Sequence, residues 1–260
     1  MLVFDFDQTM FDTSRRHRSS FDSVLEGLGV CDPIPRSFVP LLRGKSDWEV
    51  FHILLAIARG TAHVDVAHEM PSLPSMLTEL GRRSSGSSTE KQIGLCVSMR
   101  RDFLYRSIEA DLPAPIPGLD TLLAYMRQKR IVCGIASASP ERFVHQVIAR
   151  SAISDIFPAH LVVGSETIEQ EEAEHGYTRG YLAKPHPFSV YLAAQRVQTA
   201  RRLETGSPII YIGDSMTDCL LVDMCHDVTG IIINPERQVE FRTRFPALTF
   251  IESLEELVGD

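Results

Sequence analysis

Acidic, hydroxyl and lysine side chains recur at the ends of apolar runs along this chain. "LVFDFDQTM" places Asp5 and Asp7 directly after Leu2, Val3 and Phe4, with Thr9 two residues on. In extended chain the two carboxylates project to the same side. "GIASAS" ends on Ser137, Ala138 and Ser139, "AKPHP" carries Lys184, and "IGDSMTD" carries Asp214 and Asp218. Two like charges beside a core are costly unless compensated. An all-oxygen set of Asp5, Asp7, Asp214 and Asp218 suits Mg²⁺, which prefers carboxylate and water ligands. Lys184 offers a second source of positive charge. A carboxylate can attack phosphorus, and a second carboxyl nearby can protonate the leaving oxygen. Serine hydroxyls and backbone N–H groups at a strand-to-helix turn can hold phosphate oxygens. The chemistry these residues imply is phosphoryl transfer.

Such groups converge only if strands deliver them to one edge. From residue 130 onward strands alternate with helices. "RIVCGIAS" (130–137), "HLVVG" (160–164), "PIIYIGD" (208–214), "VTGIII" (228–233) and "LTFI" (248–251) read as strands. "PERFVHQVIAR" (140–150), 187–203, 215–225 and the closing "SLEELV" read as helices. That alternation predicts a parallel sheet covered on both faces, with the ligand site beyond the strands' carboxyl ends. Between residues 15 and 110 the spacing is helical, as in Phe21, Val24, Leu25 and Leu28, and again over 47–58 and 90–109. "DLPAPIPG" (111–118) is a turn-rich boundary. The expected architecture is an α/β, Rossmann-like parallel-sheet core (1–14 and 111–260) with an inserted all-helical unit (15–110).

In this order, "DFDQT", the serine of "GIAS", the "KPHP" lysine and "IGDSMTD" resemble the four motifs of haloacid dehalogenase-like hydrolases. The motifs are spread over nearly the whole chain and are jointly specific. The helical insert resembles that family's C1-type cap. The resemblance implies a Mg²⁺-dependent phosphatase acting on a small phosphorylated metabolite, with Asp5 as nucleophile and Asp7 as general acid/base. It further implies that Ser137 and Lys184 hold the phosphoryl group, and that Asp214 ligates Mg²⁺ with Asp218 in support. Ala138 joins Ser137 on the phosphate side, and Thr9 leans towards phosphatases, because the family's sugar phosphomutases commonly have valine there. A phosphomutase, a phosphonate hydrolase and a phospho-switch module without turnover are the alternatives. The chain departs from the family at Gln8, where glycine is usual.

Composition narrows the rest. Hydrophobic residues at 44% and charged residues at 23% are ordinary for a globular chain. A net charge of −8 leaves no basic excess to neutralise nucleic-acid phosphates. The sequence holds no apolar run near the ~20 residues of a membrane span, and the first ten residues lack a basic leader segment. Five scattered cysteines without a C-x-x-C pair read as thiols of a reducing, cytoplasmic compartment. "LRGKSDWE" (42–49) supplies Arg43 and Lys45, which serve equally as substrate contacts or as an exposed basic turn; "SRRHRSS" (14–20) is open in the same way. The acidic segment 165–181 reads as a long solvated loop or a flap. Nothing in the sequence names the substrate or the oligomeric state.

Overall fold

The computed structural model describes residues 1–27, 46–58, 87–204, 206–233 and 238–258. Its centre is a six-stranded sheet, all parallel, built from β1 (Leu2–Phe4), β4 (Gly134–Ala136), β5 (Val162–Val163), β6 (Ile209–Gly213), β7 (Val228–Ile233) and β8 (Thr249–Ile251). The order across the sheet is β5-β4-β1-β6-β7-β8. The direction of winding therefore reverses between β1 and β6, the place where an open α/β sheet leaves a crevice for a ligand. Asp5 follows β1 and Asp214 follows β6, so the sequence's two acidic ends become neighbours.

Strand periodicity sends successive side chains to opposite faces. Phe4, Ile135 and Ile212 join one apolar cluster, while Val3, Ala136 and Tyr211 join another. On the first face lie the helices Leu119–Lys129 and Glu141–Arg150; on the second lie Phe188–Arg201 and Met216–Asp223. Both faces are covered, as the alternating pattern predicts.

Three helices lie between β1 and β4 among the described residues ahead of Leu119: α1 (Ser14–Gly27), α2 (Asp47–Ala58) and α3 (Ser87–Ala110). No strand falls within residues 14–110 among those described. Phe21, Val24, Val50, Phe51, Leu54, Ile93 and Cys96 pack into a cluster of their own. Ser46 and Glu49 start α2 with a reciprocal cap: Ser46 N donates to Glu49 Oε2 at 2.9 Å, and Glu49 N to Ser46 Oγ at 3.3 Å. Helix α3 has 24 residues, and Leu104 and Ile108 near its end belong to the cluster around Phe4 and Phe6. The chain leaves and returns through a two-stranded antiparallel ladder, β2 (Phe11–Asp12) with β3 (Ala114–Pro115).

Several elements differ from the sequence expectation. The strand expected at 130–137 is only Gly134–Ala136, because the preceding helix ends on a left-handed Arg130 and Cys133 bonds back to Ile156. Residues 160–164 divide into a 3₁₀ turn at Ala159–Leu161 and the strand Val162–Val163. The segment 165–181 is not a long loop: Ser165–His175 is a helix, capped at its end by left-handed Gly176. Its run of glutamates and the C′ glycine are ordinary helix signals. The closing segment is a 3₁₀ turn at Leu254–Leu257. Gln238–Arg244 and Leu119–Lys129 are helices beyond the expected set. No helix among the described residues is long and apolar enough to cross a membrane.

Gly213 ends β6 where the chain turns into the site. A Cβ there would sit 2.6 Å from Asp218 Cγ and 2.7 Å from its Cβ. Gly213→Ala should therefore cost about 1–3 kcal/mol of stability as an overpacked site. A urea midpoint equal to wild type would show that Asp218 yields freely.

Candidate active site

Asp5 sits just past β1, its backbone N–H donating to Ile212 O at 2.7 Å. Its carboxylate accepts from Lys184 Nζ at 2.7 Å, and Lys184 also donates to Asp218 Oδ1 at 3.0 Å and to Tyr211 Oη at 2.6 Å. All four side chains are buried. Asp214 precedes the helix Met216–Asp223 and so, despite standing four residues before Asp218, does not lie on a helix face with it. Instead Ser215 is the N-cap and Asp218 the third helical residue of a capping box. Asp218 Oδ2 accepts from Ser215 Oγ at 2.6 Å and from the backbone N–H of Ser215 and Asp214. Asp218 is thus both a first-turn cap and a member of the charged cluster.

Ligand atoms of Asp5, Asp214 and Asp218 all lie within 4.8 Å of one another. Among these described groups a single ammonium, that of Lys184, meets two of the three carboxylates, Asp5 and Asp218. Burial pushes the Asp5 carboxyl up to about 7, with Lys184 only partly offsetting it. Burial likewise opposes charge on Lys184 and Asp218, but each holds the other in its ionised form. Asp5 is the member short of positive charge. An oxygen-only donor set with that deficit fits a hard dication such as Mg²⁺. Asp7, expected as a fourth ligand, lies outside this cluster, and its carboxylate has other partners.

Those partners come from elsewhere in the chain. Asp7 Oδ1 accepts from Thr13 Oγ1 at 2.6 Å and lies 2.7 Å from His17 Nε2; Oδ2 accepts from Ser137 Oγ at 3.2 Å. Burial alone would raise the Asp7 carboxyl, but His17 beside it, with bonds from Thr13 and Ser139, holds it well below the usual range. His17 Nδ1 in turn meets the buried Arg100 guanidinium, which pairs with buried Asp47 at the start of α2. The carboxylate of Asp7 is therefore tied through side chains to α1, α2 and α3. The turn that swings it there passes through Gln8 in the left-handed region, φ 61°, where the resembling family uses glycine.

Ser137 is buried at the end of β4, and Ser139 N donates to its hydroxyl at 3.0 Å. Thr9 is withdrawn fully from solvent, and its Oγ1 has no hydrogen-bond partner among the described residues. Ser137, half-buried Ala138 and Lys184 line a cavity of about 20 Å³ that is roofed by Trp48 and Arg179. That volume holds little more than one water. The Arg179 guanidinium lies 4.2 Å over the Trp48 ring, joining the core to α2. Nearby, Arg101 of α3 donates to Glu169 at 2.6 Å and to Ser165 at 3.1 Å. Arg43 and Lys45 lie outside the described residues. The residues that sequence reasoning passed over are Thr13, Asp47, Arg100 and Tyr211, whose contacts no spacing in the chain announces. His17 belonged to the ambiguous basic stretch 14–20, and its role becomes visible only when α1 packs beside β1.

Residues 1–220 match the family model of haloacid dehalogenase-like hydrolases, and the chain belongs to that family. Solved structures of similar fold include β-phosphoglucomutase from Clostridium difficile, 17% identical, with a TM-score of 0.65 over 99% of this chain and 92% of that one. CbbY from Rhodobacter sphaeroides, in complex with phosphate, is 16% identical with a TM-score of 0.61 over 99% and 96%. A candidate phosphoglycolate phosphatase from Lactobacillus delbrueckii is 18% identical with a TM-score of 0.68 over 98% and 95%. At these identities the likeness is one of fold. No curated protein matches the sequence significantly.

The charge deficit at Asp5 has a measurable consequence. A carboxyl whose folded pKa is raised contributes stability that is present at low pH and lost as pH rises through about 7. A divalent cation competes with that proton, so Mg²⁺ should raise the melting temperature more at one unit above this pKa than at one unit below it. Thermal scans with and without Mg²⁺ at the two pH values check this. An equal gain at both would detach the metal from Asp5.

Proposed function

We propose that this haloacid dehalogenase-like hydrolase is a Mg²⁺-dependent phosphatase of small phosphate monoesters, working through an aspartyl-phosphate on Asp5. The observation that carries the reading is the meeting of Asp5, Asp7, Ser137, Lys184 and Asp214 at the crevice where the sheet reverses its winding. A phosphate-bound neighbour and a candidate phosphatase among similar folds agree with it.

In this reading an Asp5 oxygen forms a bond to phosphorus as the ester P–O bond breaks, and Asp7, which takes up a proton from solvent as the phosphate's negative charge arrives beside it, gives that proton to the departing oxygen. Water then attacks the phosphoryl group, Asp7 takes up its proton, and phosphate and free Asp5 result. Asp7 faces Ser137 on one side and the His17–Thr13 pair on the other, so its two oxygens are aimed before substrate arrives. Lys184 and the Ser137–Ala138 turn hold the phosphoryl oxygens, with Thr9 packed beneath. Asp5 and Asp214 would hold Mg²⁺, with Asp218 behind them in support and Asp7 at its edge, and the ion would supply charge neutralisation for the phosphoryl group when bound.

Residues 1–14 and 111–260 form the catalytic core in this reading, and 15–110 the cap. Trp48 of the insert and Arg179 line the cavity beside Ser137 and Lys184, which puts cap residues next to the phosphoryl site in this reading. Arg43 and Lys45 are assigned to the cap loop that selects the leaving group. The substrate is a soluble phosphorylated metabolite of the cytoplasm, in keeping with the acidic, thiol-bearing chain.

Asp5→Asn should abolish phosphate release from p-nitrophenyl phosphate with Mg²⁺ while leaving the circular dichroism spectrum intact. Asp7→Asn should lower turnover by roughly 10²–10⁴-fold. Appreciable turnover by a folded Asp5→Asn protein would sink the aspartyl-phosphate route.

A further inference from the structure

Lys184 carries three N–H donors, and Asp5, Asp218 and Tyr211 take one each. A lysine so engaged can bind a phosphoryl oxygen only by releasing a partner. The bond to Asp218 is the longest of the three, at 3.0 Å against 2.7 Å to Asp5 and 2.6 Å to Tyr211. The same Asp218 oxygen also receives the Tyr211 hydroxyl at 2.6 Å, and its other oxygen is satisfied by Ser215 and the Asp214 N–H. Tyr211 thus accepts from the lysine through its lone pair and donates its one proton to the carboxylate. We propose that Tyr211 is a positioning residue that keeps buried Asp218 compensated when Lys184 turns from it to the substrate's phosphoryl group.

The hydroxyl is well placed for that task. Tyr211 is fully buried on β6, paired with Val3 on one side and Gly230 on the other, so its oxygen is held by the centre of the sheet. Without the hydroxyl, Asp218 Oδ1 would depend on Lys184 alone among these groups. The lysine would then be retained by Asp218, because a buried carboxylate with a missing partner is costly. The inference rests on the phosphoryl-binding role given to Lys184 above.

Tyr211→Phe tests it, since the ring keeps its packing against the apolar cluster that includes Val190 and Leu221. Inorganic phosphate is titrated calorimetrically into wild type and variant, both with Mg²⁺, and kcat and KM for p-nitrophenyl phosphate are measured separately. The expected result is about tenfold weaker phosphate binding and a matching rise in KM, the size of one hydrogen bond to a charged group. Unchanged phosphate affinity alongside a lower melting temperature would reduce Tyr211 to a structural role and overturn the proposal. Tyr211 is the one fully buried tyrosine, so its hydroxyl proton can also be followed in wild type by magnetic resonance. That proton should stay protected from exchange when phosphate is added, and its loss would equally overturn the proposal. Wild type that binds phosphate but hydrolyses nothing would defeat the phosphatase reading while leaving both measurements valid.

Discussion

A buried ammonium, Lys184, held between Asp5 and Asp218 with Asp214 beside them is the constraint on which the rest of this molecule depends. Asp5, Asp214 and Asp218 come together because β1 and β6 lie side by side where the sheet reverses direction. Left in an apolar interior, such a cluster would oppose folding. It is tolerated because Lys184 is driven into it, because Tyr211 and Ser215 complete Asp218, and because Asp5 retains an affinity for a proton or a cation. The same deficit that strains the fold gives the site its appetite for positive charge.

Asp7 meets that constraint differently. Two residues from Asp5, it leaves the central cluster through a left-handed turn at Gln8 and finds compensation in His17, Thr13 and Ser137. Its charge is settled by protein, whereas that of Asp5 is left to something added. Burial and partners thus push two neighbouring carboxylates in opposite directions, Asp5 towards the neutral acid and Asp7 towards the carboxylate.

The helical insert enters the same electrostatic account. His17, Arg100 and Asp47 carry the contact from Asp7 into α1, α3 and α2, while Arg101 and Arg179 bind the insert to the helix at 165–175 and the loop after it. Helix α3 contributes Ile93 and Cys96 to the insert's own cluster and Leu104 and Ile108 to that of the sheet. Movement of the insert would therefore act through this helix and through the partners of Asp7, not only through the short ladder of β2 and β3.

Local pattern was enough to place Asp5, Asp7, Ser137 and Asp214 at strand ends, since apolar runs and the residues that close them are properties of adjacent positions, whereas Lys184, expected at a strand end, lies in the turn before the helix Phe188–Arg201. The parallel sheet and its two covered faces followed from the same alternation. Edges were less legible, because strands such as Gly134–Ala136 and Val162–Val163 owe their short lengths to neighbours distant in sequence. Helix 165–175 carried glutamates and a closing glycine yet was hidden behind its acidity. What the sequence by itself determined is which chemical groups arrive at the crevice. Which of them touch was decided by tertiary structure alone. Tyr211 is 27 residues from Lys184, and Arg100 is 83 from His17; only packing brings such pairs together, because a hydrogen bond depends on distance in space and leaves no period in the chain.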